Sequence, residues 1–340
     1  MANRNDNKID IVVPWVDGED IAWRIQKNEW AAKEAVVSVA DDSDVRFRNW
    51  DIIKYLFRSI EKNMSWINKV HFVTWGHLPQ WMNQSCEKLH IVNHKDFIPA
   101  EYLPTFSSHT IELNMHRIPG LAEKFIYFND DIVVLQSTKL TDFFRNNLPC
   151  DYGIHVPLIS YHRYSVQDTG LTNVEIINDH FKKKDVIKNN VSKWFNFRYG
   201  INNFRTLLMM PYSRFSSFYG NHLCNSFLRS SFERIWEEEA DVLNSTCLHK
   251  FRTRRDVNQW IIRYWQLATG EFAPISPNRG KYYVIKENND SLIDCIRRKS
   301  CKVICINDTG EENIKDVDKC RDEIIHVLDE VFYQKSEFEI

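Results

Sequence analysis

KFIYFNDDIVVL, Lys124 to Leu135, is the stretch whose reading decides the fold. Two apolar runs, Phe125 to Phe128 and Ile132 to Leu135, flank the polar residues Asn129, Asp130 and Asp131. The first run has the length and the aromatic and β-branched content of a buried strand. It ends in adjacent carboxylates, where a strand of an open α/β sheet emerges at the carboxyl edge, the side on which such sheets bind ligands. Two carboxylates there repel unless a divalent cation, an arginine or a shared proton lies between them. A solvated turn whose acids cap the next segment has the same composition, so the surrounding chain has to decide.

The same pattern recurs on both sides. Ile9 to Val13 (IDIVV) predicts a strand, ended by Pro14 and followed by the turn signal Asp17-Gly18. Lys69 to Thr74, Leu89 to Val92, Lys281 to Ile285 and Lys302 to Ile306 predict further strands, the last stopping at Asn307-Asp308. Residues 19–36, Trp50 to Lys62 and Asp316 to Tyr333 read as helices, with a polar break at Asp41 to Asp44. Strands alternating with helices predict an α/β protein with a mainly parallel central sheet, flanking helices and right-handed crossovers. The active site is expected at the carboxyl edge of the strands.

Other segments carry candidate chemistry. Ser107 or Ser108 can cap a helix that sets His109, Glu112 and His116 on one face, which fits a metal site or an ordinary polar face. Asn225 to Leu243 predicts a helix with His222 just ahead of it. The positive field of the helix start would keep that imidazole neutral and able to accept a proton. On position alone, a satisfied loop histidine is the simpler reading. His249 to Asp256 (HKFRTRRD) brings Arg252, Arg254 and Arg255 close together, a density suited to phosphate oxygens or to a solvated helix start. Asp151 to Phe181 has few periodic runs, and Phe181 to Val191 (FKKKDVIKNNV) reads as a solvated face or loop. Lys193 to Pro211 is aromatic and basic; core packing explains it better than stacking on nucleic acid.

Composition narrows the class. A 340-residue chain with 43% apolar residues, 11 Trp and 21 Phe has ample material for a core. Its net charge of -2 gives no global pull towards nucleic acid or an anionic membrane, so an anion site must be a local cluster. The opening MANRNDNKID lacks the apolar core of a signal peptide, and no window approaches 18 apolar residues. Eight scattered Cys without a zinc-type set suggest reduced thiols in a cytoplasmic protein.

Four blocks, taken in order, resemble the Stealth family of sugar-phosphate transferases. That family includes bacterial capsular polysaccharide phosphotransferases and the catalytic part of the animal N-acetylglucosamine-1-phosphotransferase. The blocks are IDIVVPWVDGED (Ile9 to Asp20), the run from Arg46 to Val134, the run from Asn221 to Trp265 containing NHLCNSF and HKFRTRRDVNQWIIRYW, and CIND (Cys305 to Asp308). Two positions depart from the common pattern: Asn49-Trp50 stands where an Asp-Asn pair is usual, and Asn221 where a Pro often precedes the histidine. The resemblance implies one catalytic domain with a nucleotide-sugar-transferase-like, Rossmann-like sheet. Its core is expected at about 1–150 plus 215–340, with an irregular helical insertion at about 151–214. It also implies catalytic roles for His222, Asp131, Glu112 and Arg252, and substrate contacts from Asp17, Gly18, His116, Arg117, Asp256 and Asn307. A Mg²⁺ or Mn²⁺ is expected on Asp130 and Asp131. The implied reaction moves a sugar-1-phosphate from a UDP-sugar to a saccharide hydroxyl and releases UMP, at the inner face of the membrane beside polysaccharide export machinery. An ordinary glycosyltransferase releasing UDP and a non-catalytic carbohydrate-binding protein are the rival expectations. No nucleic-acid partner is expected.

Overall fold

The computed structural model describes residues 8–34, 48–159, 167–310, 312 and 314–340; the polar break at Asp41 to Asp44 lies outside them. Its centre is a five-stranded sheet. Four strands, β1 (Ile9–Pro14), β2 (Lys69–Thr74), β3 (Leu89–Asn93) and β4 (Lys124–Tyr127), run parallel in the spatial order 3-2-1-4. The strand Asn225–Leu228 closes the sheet antiparallel to β4.

Alternation along β1 feeds two cores, as the two-residue period of a strand requires. Ile9, Ile11 and Val13 pack on one face with Phe57, Phe72 and Phe128. Val12 packs on the other with Phe125, Leu113 and Phe232. Both faces are therefore covered, which is why these strands read as nearly continuous apolar runs. Helices α1 (Ile21–Lys33), α2 (Ile53–Asn63) and α3 (Ser108–Asn114) follow the expected periodic segments.

A second, three-stranded sheet joins β5 (Ile132–Val134) antiparallel to Val303–Asn307, which pairs in parallel with Gly280–Val284. The turn Phe128 to Asp131 thus links the two sheets, and the expected late strands and the closing helix, Val317–Val331, are present.

Several expectations are corrected. Asn225 to Leu243 is not one helix: Asn225–Leu228 is a strand, followed by helices at Arg229–Glu238 and Ala240–Leu248. Pairing with β4 wins because it buries Phe227 against Phe125, with ring centres 5.8 Å apart. Asp151 to Phe181 contains a helix at Gln167–His180; the lysine-rich stretch contains another at Lys183–Asn189, whose Lys184 and Lys188 are the expected solvated face, while Lys183 departs from it, buried and donating to the Met209 carbonyl at 2.7 Å. Lys193 to Pro211 splits: Trp194 and Tyr199 are core residues, whereas Phe197, Ile201, Phe204 and Leu208 face solvent. Periodicity could not separate these, because the backbone turns at Gly200, whose φ of +54° breaks the helical phase. All eight cysteines are free thiols.

Candidate active site

β1 and β4 are paired neighbours, so the loops that leave their carboxyl ends, carrying Asp17 and Asn129 to Asp131, emerge side by side. Asp131 is the most heavily tied residue there. Its main-chain oxygen accepts from Ile306 N at 2.9 Å. Its Oδ2 accepts from Asn307 Nδ2 at 2.9 Å and from the Cys305 thiol at 3.1 Å. Cys305 and Asn307, two apart on one strand, project from the same face, and this places both against the carboxylate. Burial, reinforced by the Asp131 charge, pushes the Cys305 thiol well above its ordinary value, so it keeps its proton and donates. Tyr282 fixes the other end of Asn307 by donating to its Oδ1 at 3.3 Å. Asp131 Oδ1, in contrast, is buried with no hydrogen-bond partner.

His222 reaches this acid from nearly a hundred residues away. Asp131, His222 and Cys305 each offer a donor atom within 4.8 Å of the others. The histidine is exposed, with Nε2 3.4 Å from Asn129 Nδ2 and its ring edge-on to Tyr282 at 5.6 Å. Its φ of +48° is left-handed, a conformation that non-glycine residues adopt rarely and that clusters at working sites. It precedes a strand, so the expected helix-start field does not act on it. Asp130 precedes Asp131 on the turn. The protein crowded around this acid and the Asp131 charge push its carboxyl up to about 7; its exposed side lets water offset part of that rise.

A second limb runs through α3. Arg252 Nη2 donates to Ser108 Oγ at 2.6 Å, and Ser108 Oγ donates to Glu112 Oε1 at 3.1 Å. Glu112 is buried and also accepts from the Tyr127 hydroxyl at 3.2 Å and from Gln259 N at 3.3 Å. Burial first, then the Glu112 and Asp130 charges, raise the Tyr127 hydroxyl well above its ordinary value, while Arg252 pulls it down. The end of β4 therefore lies within the field of both limbs.

Asp256 shapes the arginine loop. It accepts from His249 Nδ1 at 2.8 Å and from Thr253 N and Oγ1 at 2.7 and 2.6 Å, with His109 Nδ1 3.5 Å away. Burial alone would raise this carboxyl; those partners outweigh it and hold it well below the usual range. Asp17 sits on a similar frame. His77 Nε2 accepts from Asp17 N at 2.7 Å, leaving its proton on Nδ1 towards Asp20, 3.4 Å away. Burial holds His77 below its ordinary value despite both acids. The Gly18 carbonyl accepts from Arg24 Nε at 2.6 Å.

His116 and Arg117 go elsewhere. His116 stacks on Phe232 at 5.9 Å, and Arg117 lies 4.8 Å from the Trp236 ring centre. Burial, helped by Arg117, takes His116 down to about 3. His109, Glu112 and His116 consequently have separate partners, and among the described residues they form no metal cluster. Sequence reasoning missed Tyr127, Cys305, Tyr282 and His77. It also missed Asp308, which accepts from Arg48 Nη1 and Trp50 Nε1, both at 3.0 Å. The alternation that pairs Cys305 with Asn307 was a usable signal; the others needed tertiary structure.

An expected divalent cation would find an unpartnered buried oxygen on Asp131, but among the described residues the donor atoms gathered closely enough to share one ion are those of Asp131, His222 and Cys305, without Asp130.

Carboxylates, an imidazole and a guanidinium gathered at the edge of a parallel sheet are the parts of an enzyme that works on phosphate, and this chain belongs to the Stealth family and is a phosphotransferase. Residues 46–150 match the family model for Stealth protein CR2, conserved region 2. Over 99% of both chains it is 40% identical to a capsular polysaccharide phosphotransferase, WcwK, of Streptococcus pneumoniae. It is 36% identical to the exopolysaccharide phosphotransferase cps2G of Lactiplantibacillus plantarum, over 97% of this chain and 96% of that one. It is 33% identical to the receptor polysaccharide phosphotransferase WefC of Streptococcus gordonii, over 98% and 99%. No helix among the described residues is long and apolar enough to cross a membrane.

Proposed function

We propose that the protein transfers a sugar-1-phosphate from a UDP-hexose or UDP-N-acetylhexosamine to a hydroxyl of a growing capsular or cell-surface polysaccharide, forming a phosphodiester and releasing UMP. The observation that carries this reading is the strand order 3-2-1-4. The strand order reverses between the parallel neighbours β1 and β4, and in Rossmann-like sheets nucleotides lie in the crevice at that switch point. Asp17 and the Asn129 to Asp131 turn flank it.

The acceptor oxygen attacks the phosphorus that carries the sugar. The bond from that phosphorus to the bridging oxygen breaks, and UMP leaves with the electron pair. The bond between sugar and phosphate oxygen is untouched, so the anomeric configuration is kept. His222 takes the acceptor proton; it is exposed enough to meet an incoming hydroxyl. Arg252 binds the diphosphate through its planar fork, oriented by Ser108 and Glu112. Asp17 positions the donor, and Asn307 holds Asp131. Asp131 would hold a Mg²⁺ or Mn²⁺, which when bound supplies positive charge for the diphosphate oxygens.

A screen of UDP-, GDP- and CDP-sugars with short saccharide acceptors tests this. UMP, acceptor-dependent and accompanied by a phosphodiester signal in phosphorus NMR, is the expected product. Release of UDP would make the protein an ordinary glycosyltransferase. Thorough chelation is expected to abolish turnover; activity that survives it removes the metal from the account.

A further inference from the structure

We propose that the segment from Phe181 to Arg214 is a docking surface for an anionic lipid bilayer. Two independent observations meet there. The first is apolar exposure. Phe197 and Ile201 are each 81% exposed, Leu208 74%, and Phe204 and Tyr212 each 63%. Scattered exposed apolar residues are ordinary, but a contiguous group marks a contact surface. The second is charge. The segment carries eight Lys or Arg and a single acid, Asp185, a net of +7 in a chain whose total is -2.

The exposure is not that of a loose loop, because the inner side is anchored. Trp194 and Tyr199 are buried. The Tyr199 hydroxyl donates to the Lys193 carbonyl at 2.6 Å and accepts from Gly153 N at 3.1 Å. Thr206 Oγ1 accepts from His155 N at 3.0 Å. Short helices at Phe197–Asn202 and Asn203–Leu208 therefore hold their apolar side chains outward on a fixed base.

Charge complementarity selects the occupant. Lys182, Lys184, Lys188, Arg198, Arg205 and Arg214 are exposed in the same segment as the apolar side chains, and Lys183 ties the lysine helix to that segment through the Met209 carbonyl. Apolar side chains inserted at the headgroup boundary, ringed by long cationic ones, are how proteins rest on an anionic membrane without crossing it. A single-stranded nucleic acid would use the aromatic rings and cations but leave Ile201, Leu207 and Leu208 without a role. The apolar knob also touches the segment that leads to the candidate site: Arg205 lies 5.3 Å from the ring centre of Tyr219, three residues before His222. Docking would bring the His222 loop towards the bilayer.

Flotation of the full-length protein with vesicles of phosphatidylcholine alone, or enriched in phosphatidylglycerol, tests the proposal. Wild type is expected to float with the anionic vesicles and to be released as salt rises. Phe197→Asp/Ile201→Asp/Leu208→Asp should lower partitioning by on the order of 100-fold. Turnover on soluble substrates should be unchanged, which also reports that the variant is folded. Lys182→Gln/Lys184→Gln/Lys188→Gln should lose the preference for anionic vesicles by a similar factor, about fivefold per charge removed. The proposal is overturned if wild type floats with neither vesicle or if the aspartate variant floats as well as wild type. It also fails if light scattering shows a dimer that the aspartate variant dissolves while vesicles are ignored, since a second copy then covers the knob. Oligonucleotide binding that survives the aspartate changes, without vesicle binding, overturns it as well.

Discussion

Asp10 and Asp131 stand on neighbouring segments of one fold, each beside a histidine, and the protein treats them in opposite ways. Asp10 is fully buried in β1. One oxygen accepts from Asn68 Nδ2 at 2.7 Å; the other accepts from Ala122 N at 2.8 Å and lies 3.0 Å from His71 Nε2. His71 in turn lies 2.8 Å from His90, ring nitrogen to ring nitrogen. Burial would raise the Asp10 carboxyl, but these partners outweigh it and lower it. Asp131 is held as firmly on one oxygen, yet its other oxygen has no partner, and its companion Asp130 is raised rather than lowered. A closed polar network stabilises the fold; an open one keeps capacity for a ligand. The lesson is that an acid's unused hydrogen-bonding capacity, more than its neighbours' identity, separates framework from site.

The largest effect is expected at the open end. His222→Ala should lower turnover about 10²- to 10⁴-fold in steady-state kinetics while leaving the thermal midpoint unchanged. Full turnover with acceptor would remove the base assignment. At the closed end, Asp10→Ala leaves His71 buried without its acid and should cost about 3 kcal/mol in denaturant unfolding. Turnover per folded molecule should not change.

The pH dependence sharpens the contrast. Asp10 and Asp256 have lowered carboxyls, so their contribution is present above the unfolded value near 4 and is lost as pH falls through the folded values. Asp10→Asn should therefore flatten the acid limb of a stability profile below about pH 4. The same limb would persist in Asp130→Asn, because a raised acid contributes no stability of that sign. The smallest effect is expected at Arg117. Arg117→Ala removes a cation resting on Trp236 and should cost about 0.5–1 kcal/mol with turnover unchanged. A loss of turnover at constant stability would return Arg117 to the site.

Much of the framework was legible because it rests on short periods. The apolar runs of β1, β2 and β4 and the acids that end them follow from burial on both faces and from the chain leaving the sheet. Asn225–Leu228 was misread because Asn-Ser-Phe-Leu carries no strand signature of its own; it is a strand only because β4 offers an open edge. The assembly of Arg252, Ser108, Glu112 and Tyr127 was illegible for another reason. The Arg252 to Ser108 hydrogen bond spans 144 residues, and nothing local encodes it. Phe197 and Ile201 show the limit of composition, since aromatic and aliphatic residues do not announce whether they face the core or the solvent.

The most direct test follows a label. A UDP-sugar carrying labelled phosphorus in the phosphate attached to the sugar is given to the enzyme with a saccharide acceptor. Transfer at phosphorus predicts that the label appears in the saccharide as a phosphodiester, in step with unlabelled UMP. Label that stays in the nucleotide, as UDP, while the sugar moves alone would contradict the account.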